Sequence, residues 1–242
     1  LYCGLRLMRK TMEKRTLSES DRAIVLLSGG MDSLVTAAIA ARDCIELNFL
    51  HASYGQRTET RELRSFEALC VHFRPLWRKI LNWDWFRQIG GSALTDMNIA
   101  ISPDAGHKGI PVTYVPFRNA NLLSAAVAWA EVIGAGKIYI GAVEEDSSGY
   151  PDCRETFFQA FEKAIETGTK NEFPIQIVTP VLHLSKAEIV KLGLSLRAPF
   201  ELSWSCYQDN EQACGVCDSC RLRLKAFAEA GCKDPIPYRN AQ

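Results

Sequence analysis

Two clusters of residues carry chemistry by type and spacing. Cys206, Cys214, Cys217 and Cys220 bring four of the nine cysteines into residues 206–220. Four sulfur ligands around a tetrahedral ion suit Zn²⁺, and a site whose ligands all come from protein is structural. An iron–sulfur cluster competes, because Cys-x2-Cys-x2-Cys also occurs in ferredoxins. There, a fourth cysteine follows four places after the third, where this chain has Leu224. That spacing favours zinc. Four unrelated buried thiols are the bland alternative, and so tight a bunching weighs against it.

The second cluster is Ser28-Gly29-Gly30-Met31-Asp32-Ser33, directly after the apolar run 23–27. A strand ends, two glycines allow a tight turn, and a helix begins whose first amides lack partners at the positive end of its dipole. Phosphate is the natural guest there. Ser28 and Ser33 add hydroxyls, and Asp32 either holds Mg²⁺ or caps the helix. The loop is neither the Gly-Lys-Ser/Thr type nor the Gly-x-Gly-x-x-Gly type. A glycine-rich turn before a well-capped helix is the alternative reading.

These clusters need elements to hold them. Short apolar runs alternate with helical periodicity. Strands are expected over residues 23–27, 45–51, 76–81, 112–115, 137–142 and 176–181. Helices are expected over 32–42, 58–72, 119–133, 152–167 and 185–192, and a final helix follows the cysteines. Gly134 and Gly193 are the stops of two of them. Capping boxes are read at Asp152/Glu155 and Ser185/Glu188. The alternation predicts an α/β fold with a doubly wound, mostly parallel sheet of Rossmann-like kind, ligands at the carboxyl ends of its strands, and a small C-terminal zinc-binding subdomain. Residues 1–22 are expected to be a flexible tail, 23–200 the nucleotide-binding α/β domain, and 201–242 the four-cysteine region with the C-terminal helix.

The 28 basic residues balance the 28 acidic ones, which argues against a dedicated nucleic-acid binder. No run is long and apolar enough to span a membrane, and the tail lacks a signal peptide's apolar core. Bunched rather than scattered cysteines point to a reducing compartment, hence the cytoplasm.

The loop L-S-G-G-M-D-S at residues 27–33 resembles that of the N-type ATP pyrophosphatases, which split ATP between the α and β phosphates and adenylate an organic oxygen. Within that superfamily the chain resembles the 7-cyano-7-deazaguanine synthases of queuosine precursor synthesis, over roughly residues 23–228. The likeness is carried by Tyr54-Gly55-Gln56, residues 91–95, Val115-Pro116-Phe117-Arg118-Asn119, G-Y-P-D-C-R at 149–154, L-S-K-A-E-I at 184–189 and C-G-V-C-D-S-C-R at 214–221. Phe117 and Thr58 depart from the pattern.

The resemblance implies a ligase that turns 7-carboxy-7-deazaguanine and ammonia into the nitrile at the expense of ATP, through an adenylated acid and an amide. It implies ATP and Mg²⁺ held along Leu26, Leu27, Ser28, Gly29, Gly30, Met31, Asp32, Ser33, Leu34, Val35 and Thr36. Asp32, Ser33 and Lys186 are then catalytic, Cys206, Cys214, Cys217 and Cys220 hold one structural Zn²⁺ per subunit, and the enzyme is a homodimer. Related amidating enzymes often carry a glutaminase domain; none is expected here, so ammonia arrives free or from a partner.

Several residues are weighed against ordinary roles. Arg118 suits a substrate carboxylate, or a surface ion pair. Lys186 suits ATP phosphates, or solvent. Glu144 or Asp152 suits the N–H edge of a guanine-like base, and Tyr150 or Phe117 its face. Their alternative is solvated acidic residues and a helix cap at Asp152. The histidines show no ligand spacing, and the five tryptophans read as packing residues. A tRNA-thiolating enzyme is disfavoured by the neutral charge. A zinc-ribbon interaction module explains neither the phosphate loop nor the α/β core.

Overall fold

The computed structural model describes residues 18–101, 109–144, 149–170 and 172–239. Five strands form one parallel sheet: β1 (Arg22–Leu26), β2 (Glu46–Ser53), β3 (Trp77–Asn82), β4 (Lys137–Ile140) and β5 (Gln176–Val178). Their order is β3-β2-β1-β4-β5. The reversal lies at β1, between β2 and β4, where doubly wound sheets open a crevice for ligands. Central β1 is buried along Ala23–Leu26 because both of its faces are covered.

The helices are α1 (Met31–Asp43), α2 (Glu59–Phe73), α3 (Trp85–Ile89), α4 (Arg118–Ile133), α5 (Glu155–Gly168), α6 (Lys186–Ser195) and α7 (Asp218–Glu229). Alternate side chains of β1 split the core. Ala23 and Val25 face the layer built with α1, α2, α6 and α7, while Ile24 and Leu26 face α4 and α5. Helix α7 is part of that first layer through Ala226 and Phe227. The fully buried Arg223 locks it to the chain end, donating twice to Asp234 and also to Ser203 Oγ and Phe200 O.

Several expectations need correction. Residues 112–115 form turns, not a strand. Proline flanks them at 111 and 116, Tyr114 N turns back to Pro111 O, and Val112 O accepts from Ala93 N. The tail expected to reach residue 22 is part of the fold from residue 18: Glu19 O accepts from Gly136 N, and Arg22 begins β1. Helix α6 runs past Gly193, whose missing Cβ makes room for Phe200 and Val35. Trp77 is not a packing residue; on edge strand β3 it is 60% exposed. The Ser185/Glu188 capping box is present in full.

Candidate active site

A cavity of about 830 Å³ opens at the carboxyl ends of β1, β2 and β4. One end is the turn from β1 into α1. Leu27 N donates to Leu50 O, and buried His51 holds Leu27 O through Nδ1 at 2.9 Å. Ser28 Oγ accepts from Gly30 N, and Ser33 Oγ donates to Gly30 O, so the hydroxyls brace the loop. Gly29 has φ +91°, and a Cβ there would lie 2.9 Å from Glu62 O. Only glycine fits both demands. Across the sheet, a Cβ on Gly141 would meet Ser33 N at 2.8 Å, so β4 approaches the start of α1 because Gly141 has no side chain.

Lys186 Nζ lies 2.8 Å from Asp32 Oδ2. Asp32 therefore does not cap α1; the N-cap is Gly30, with no side-chain cap bond. Its Oδ1 is buried without a hydrogen-bond partner among the described residues. A bare carboxylate oxygen beside a phosphate loop fits a hard divalent cation. Of the expected nucleotide contacts, Leu26, Leu27, Ser28, Gly30, Met31, Asp32 and Ser33 line the cavity. Gly29, Leu34, Val35 and Thr36 do not: Gly29 is pressed against α2, and the other three are fully buried in α1.

The other end is built from side chains. Arg118 Nη1 donates to Tyr54 Oη at 2.7 Å. Burial opposes its charge, but Tyr54, Tyr150 and Asp152 together raise the guanidinium pKa, so Arg118 stays cationic. Burial likewise pushes the Tyr54 hydroxyl up to about 12 against the pull of Arg118. Tyr150 pairs its hydroxyl with Thr113 at 2.7 Å.

Asp152 and Glu144 are placed elsewhere. The expected capping box at Asp152/Glu155 does not form, because Pro151–Cys153 is a 3-10 turn and α5 starts at Glu155 after Arg154. Asp152 Oδ2 instead accepts from Asn119 N at 2.9 Å and so caps α4. Burial pushes its carboxyl pKa up, against the Asn119 N–H and Arg118. Glu144 accepts from Glu155 N and faces His183. Neither lines the cavity, and nor does Phe117, which is 60% exposed. Residues 145 and 146, the acidic neighbours of Glu144 in the sequence, lie outside the described residues.

The four cysteines converge. All are buried, and their sulfurs lie within 4.8 Å of one another; Cys214 and Cys220 are 3.8 Å apart. A tetrahedral zinc with bonds of about 2.3 Å spaces its sulfurs by about 3.8 Å, so the donor set fits a metal. Backbone N–H groups of Gln208 and Cys214 point at Cys206 Sγ, and those of Val216 and Cys217 at Cys214 Sγ. Hydrogen bonds from Cys217 and Cys220 hold the Cys206 thiol low, while the pKa values of those two are pushed up.

This lobe also reaches the cavity. Trp204 N donates to Gly29 O at 2.8 Å, and Arg61 sits 4.4 Å over the Trp204 ring. Tyr207, Ser219 and Arg221 line the cavity wall. Sequence reasoning passed over Tyr207, and its position directly after Cys206 is the signal that was available.

Comparison with known proteins finds a family and close relatives. The family model described as "Queuosine biosynthesis protein QueC" matches residues 22–231. A 7-cyano-7-deazaguanine synthase from Chlorobium chlorochromatii is 58% identical over 218 residues, covering 90% of this chain and 96% of that relative. Its counterpart from Chloroherpeton thalassium is 59% identical over 219 residues, covering 90% and 97%. Among solved structures, NMN synthetase from Francisella tularensis aligns over 88% of this chain and 78% of that one, at 14% identity and a TM-score of 0.48.

Proposed function

The chain belongs to the queuosine biosynthesis protein QueC family, and from that premise we propose that it converts 7-carboxy-7-deazaguanine and ammonia to 7-cyano-7-deazaguanine with ATP. It is an enzyme of the ligase class, forming carbon–nitrogen bonds. The observation that carries the reading is one continuous cavity joining the phosphate loop to Arg118. An ATP phosphate chain and an organic carboxylate can meet in it.

A carboxylate resists ammonia because it is negatively charged and has a poor leaving group. In the proposed first round, its oxygen attacks the α-phosphorus and pyrophosphate leaves. The loop amides and Lys186 take up the charge of the phosphates, and Asp32 holds Lys186 in place. Arg118 orients the carboxylate by charge-assisted hydrogen bonds. Ammonia then attacks the acyl carbon, and AMP and a proton leave the amide. In a second round the amide oxygen is adenylated, and loss of AMP and a proton gives the nitrile. Mg²⁺ at the free oxygen of Asp32 would supply further neutralisation of phosphate charge. Tyr54 and Tyr150, which line the same end, offer ring faces to the base.

In this reading the four cysteines hold Zn²⁺ and the enzyme works in the cytoplasm, where thiolates stay reduced. A second copy of the chain is the proposed partner, supported by Leu76, Trp77 and Ile80 exposed along edge strand β3. Light scattering showing a monomer at micromolar concentration would overturn that part. The reaction is tested by incubating the metallated protein with ATP, ammonium and the carboxy-deazaguanine. A product with the mass of the nitrile, with two pyrophosphates released per nitrile, is expected. No pyrophosphate release above a control lacking the acid refutes it.

A further inference from the structure

We infer that Tyr207 is a specificity-determining residue for the acid substrate, and that the four-cysteine lobe is the device that positions it. The inference rests on the reading of the cavity given under Proposed function. Packing and chain position place Tyr207 between two neighbourhoods. Its ring packs both with the cysteine cluster around Trp204 and Cys206 and with the cavity wall around Ala52, Tyr54 and Leu94. Its main chain directly follows Cys206, and the next backbone N–H, that of Gln208, donates to Cys206 Sγ, so this position is tied on both sides to a cysteine of the cluster. Ser219, on the first turn of α7, lines the same cavity.

With its main chain tied to Cys206 and its side chain packed on two sides, the ring has little freedom. It lines the cavity beside Arg118, Tyr54 and Tyr150. Three tyrosines around one guanidinium make an end that is flat-walled, apolar on its faces and cationic at one point. A planar heteroaromatic acid matches that chemistry: faces for the rings, carboxylate for Arg118. Tyr54 and Tyr150 come from the α/β core, whereas Tyr207 is supplied by the lobe. The four-cysteine site therefore acts at a distance from the reacting atoms as part of substrate recognition, besides holding the chain end.

The test uses the full-length, metal-loaded protein. Tyr207→Leu should raise the KM for 7-carboxy-7-deazaguanine by roughly five- to a hundredfold, the range for removing an aromatic partner of a base. The KM for ATP and the metal content per chain should stay at wild-type values. Tyr207→Phe keeps the ring and should restore the acid KM to within about threefold. Titration calorimetry of the acid, in the presence of a non-hydrolysable ATP analogue, should show the same ranking without turnover. If Leu lowers the metal content, Tyr207→Trp replaces it: added bulk in the wall should raise the acid KM while metal and ATP KM hold. Unchanged acid KM in these variants, or equal rises for acid and ATP, overturns the inference. A wild-type protein that neither binds nor converts the acid would instead overturn the proposed function, so the two failures are distinguishable.

Discussion

The two ends of the cavity are built by opposite strategies. The end proposed for phosphate comes from consecutive residues, 28–33, and in that reading works through backbone amides, with side chains bracing the turn. The end proposed for the acid is assembled from the side chains of Tyr54, Arg118, Tyr150 and Tyr207, which are far apart in the chain. A phosphate recognised by backbone tolerates many neighbours but needs one strand–turn–helix geometry. A particular base and carboxylate demand particular side chains, and those can come from anywhere the fold brings together. The cysteine lobe touches both ends, through Trp204 N to Gly29 O and through Tyr207.

The largest effect should come from breaking the element common to both ends. Cys217→Ala removes one of the four converging sulfurs. The melting temperature should fall on the order of 10 °C, and pyrophosphate release should be lost with it. A variant with wild-type melting and metal content would show that the lobe is dispensable and the comparison wrong.

Next is Gly29→Ala, which strikes the phosphate end alone. A positive φ and a Cβ at 2.9 Å from Glu62 O impose strain of about 1–3 kcal/mol. We expect kcat/KM for ATP to drop at least about tenfold, with acid affinity kept in calorimetry. Arg118→Met is the mirror experiment. Losing a charged hydrogen-bond donor should raise the acid KM roughly ten- to hundredfold, while ATP affinity stays. If either variant weakened both ligands equally, the division of the cavity into two ends would fail.

The smallest effect is expected at Asp152. Because it caps α4 from behind the wall, Asp152→Asn should leave the acid KM within about twofold, and Asp152→Ala should cost about 1 kcal/mol of stability for the lost cap. Its pH signature has a definite sign. Burial raises the folded-state carboxyl pKa above its unfolded value, so this group favours the folded state at low pH. That contribution is lost as pH rises from the ordinary carboxylate range through the folded pKa. Urea titrations across that window should show the slope in the wild type and its absence in Asp152→Asn. A large rise in acid KM for Asp152→Asn would restore the base-reading role and sharpen the acid end differently.

Legibility followed the same division. The strand alternation, the Ser185/Glu188 box and the parallel sheet were readable because periodicity and caps are local signals. The expected strand at 112–115 failed because apolar β-branched residues between prolines carry strand propensity but no partner strand; Val112 O is taken instead by Ala93 N. Asp152 followed by Glu155 has the spelling of a capping box, yet the nearer donor in space was the start of another helix. Trp77 is large and apolar, and nothing local announces that its strand lies at the edge of the sheet.

Composition and short-range pattern alone determined the parallel α/β class, the glycine-rich turn between β1 and α1, and the four thiols that could share one metal. All three rest on residues within a few positions of each other, where covalent geometry already restricts the outcome. Only the tertiary structure decided that Lys186 meets Asp32, that Arg118 meets Tyr54, that Asp152 turns away from the cavity, and that Tyr207 enters it from the cysteine lobe. The physical reason is that a long-range contact depends on how the layers pack over the sheet, and no spacing along the chain encodes which side chains that packing will bring face to face.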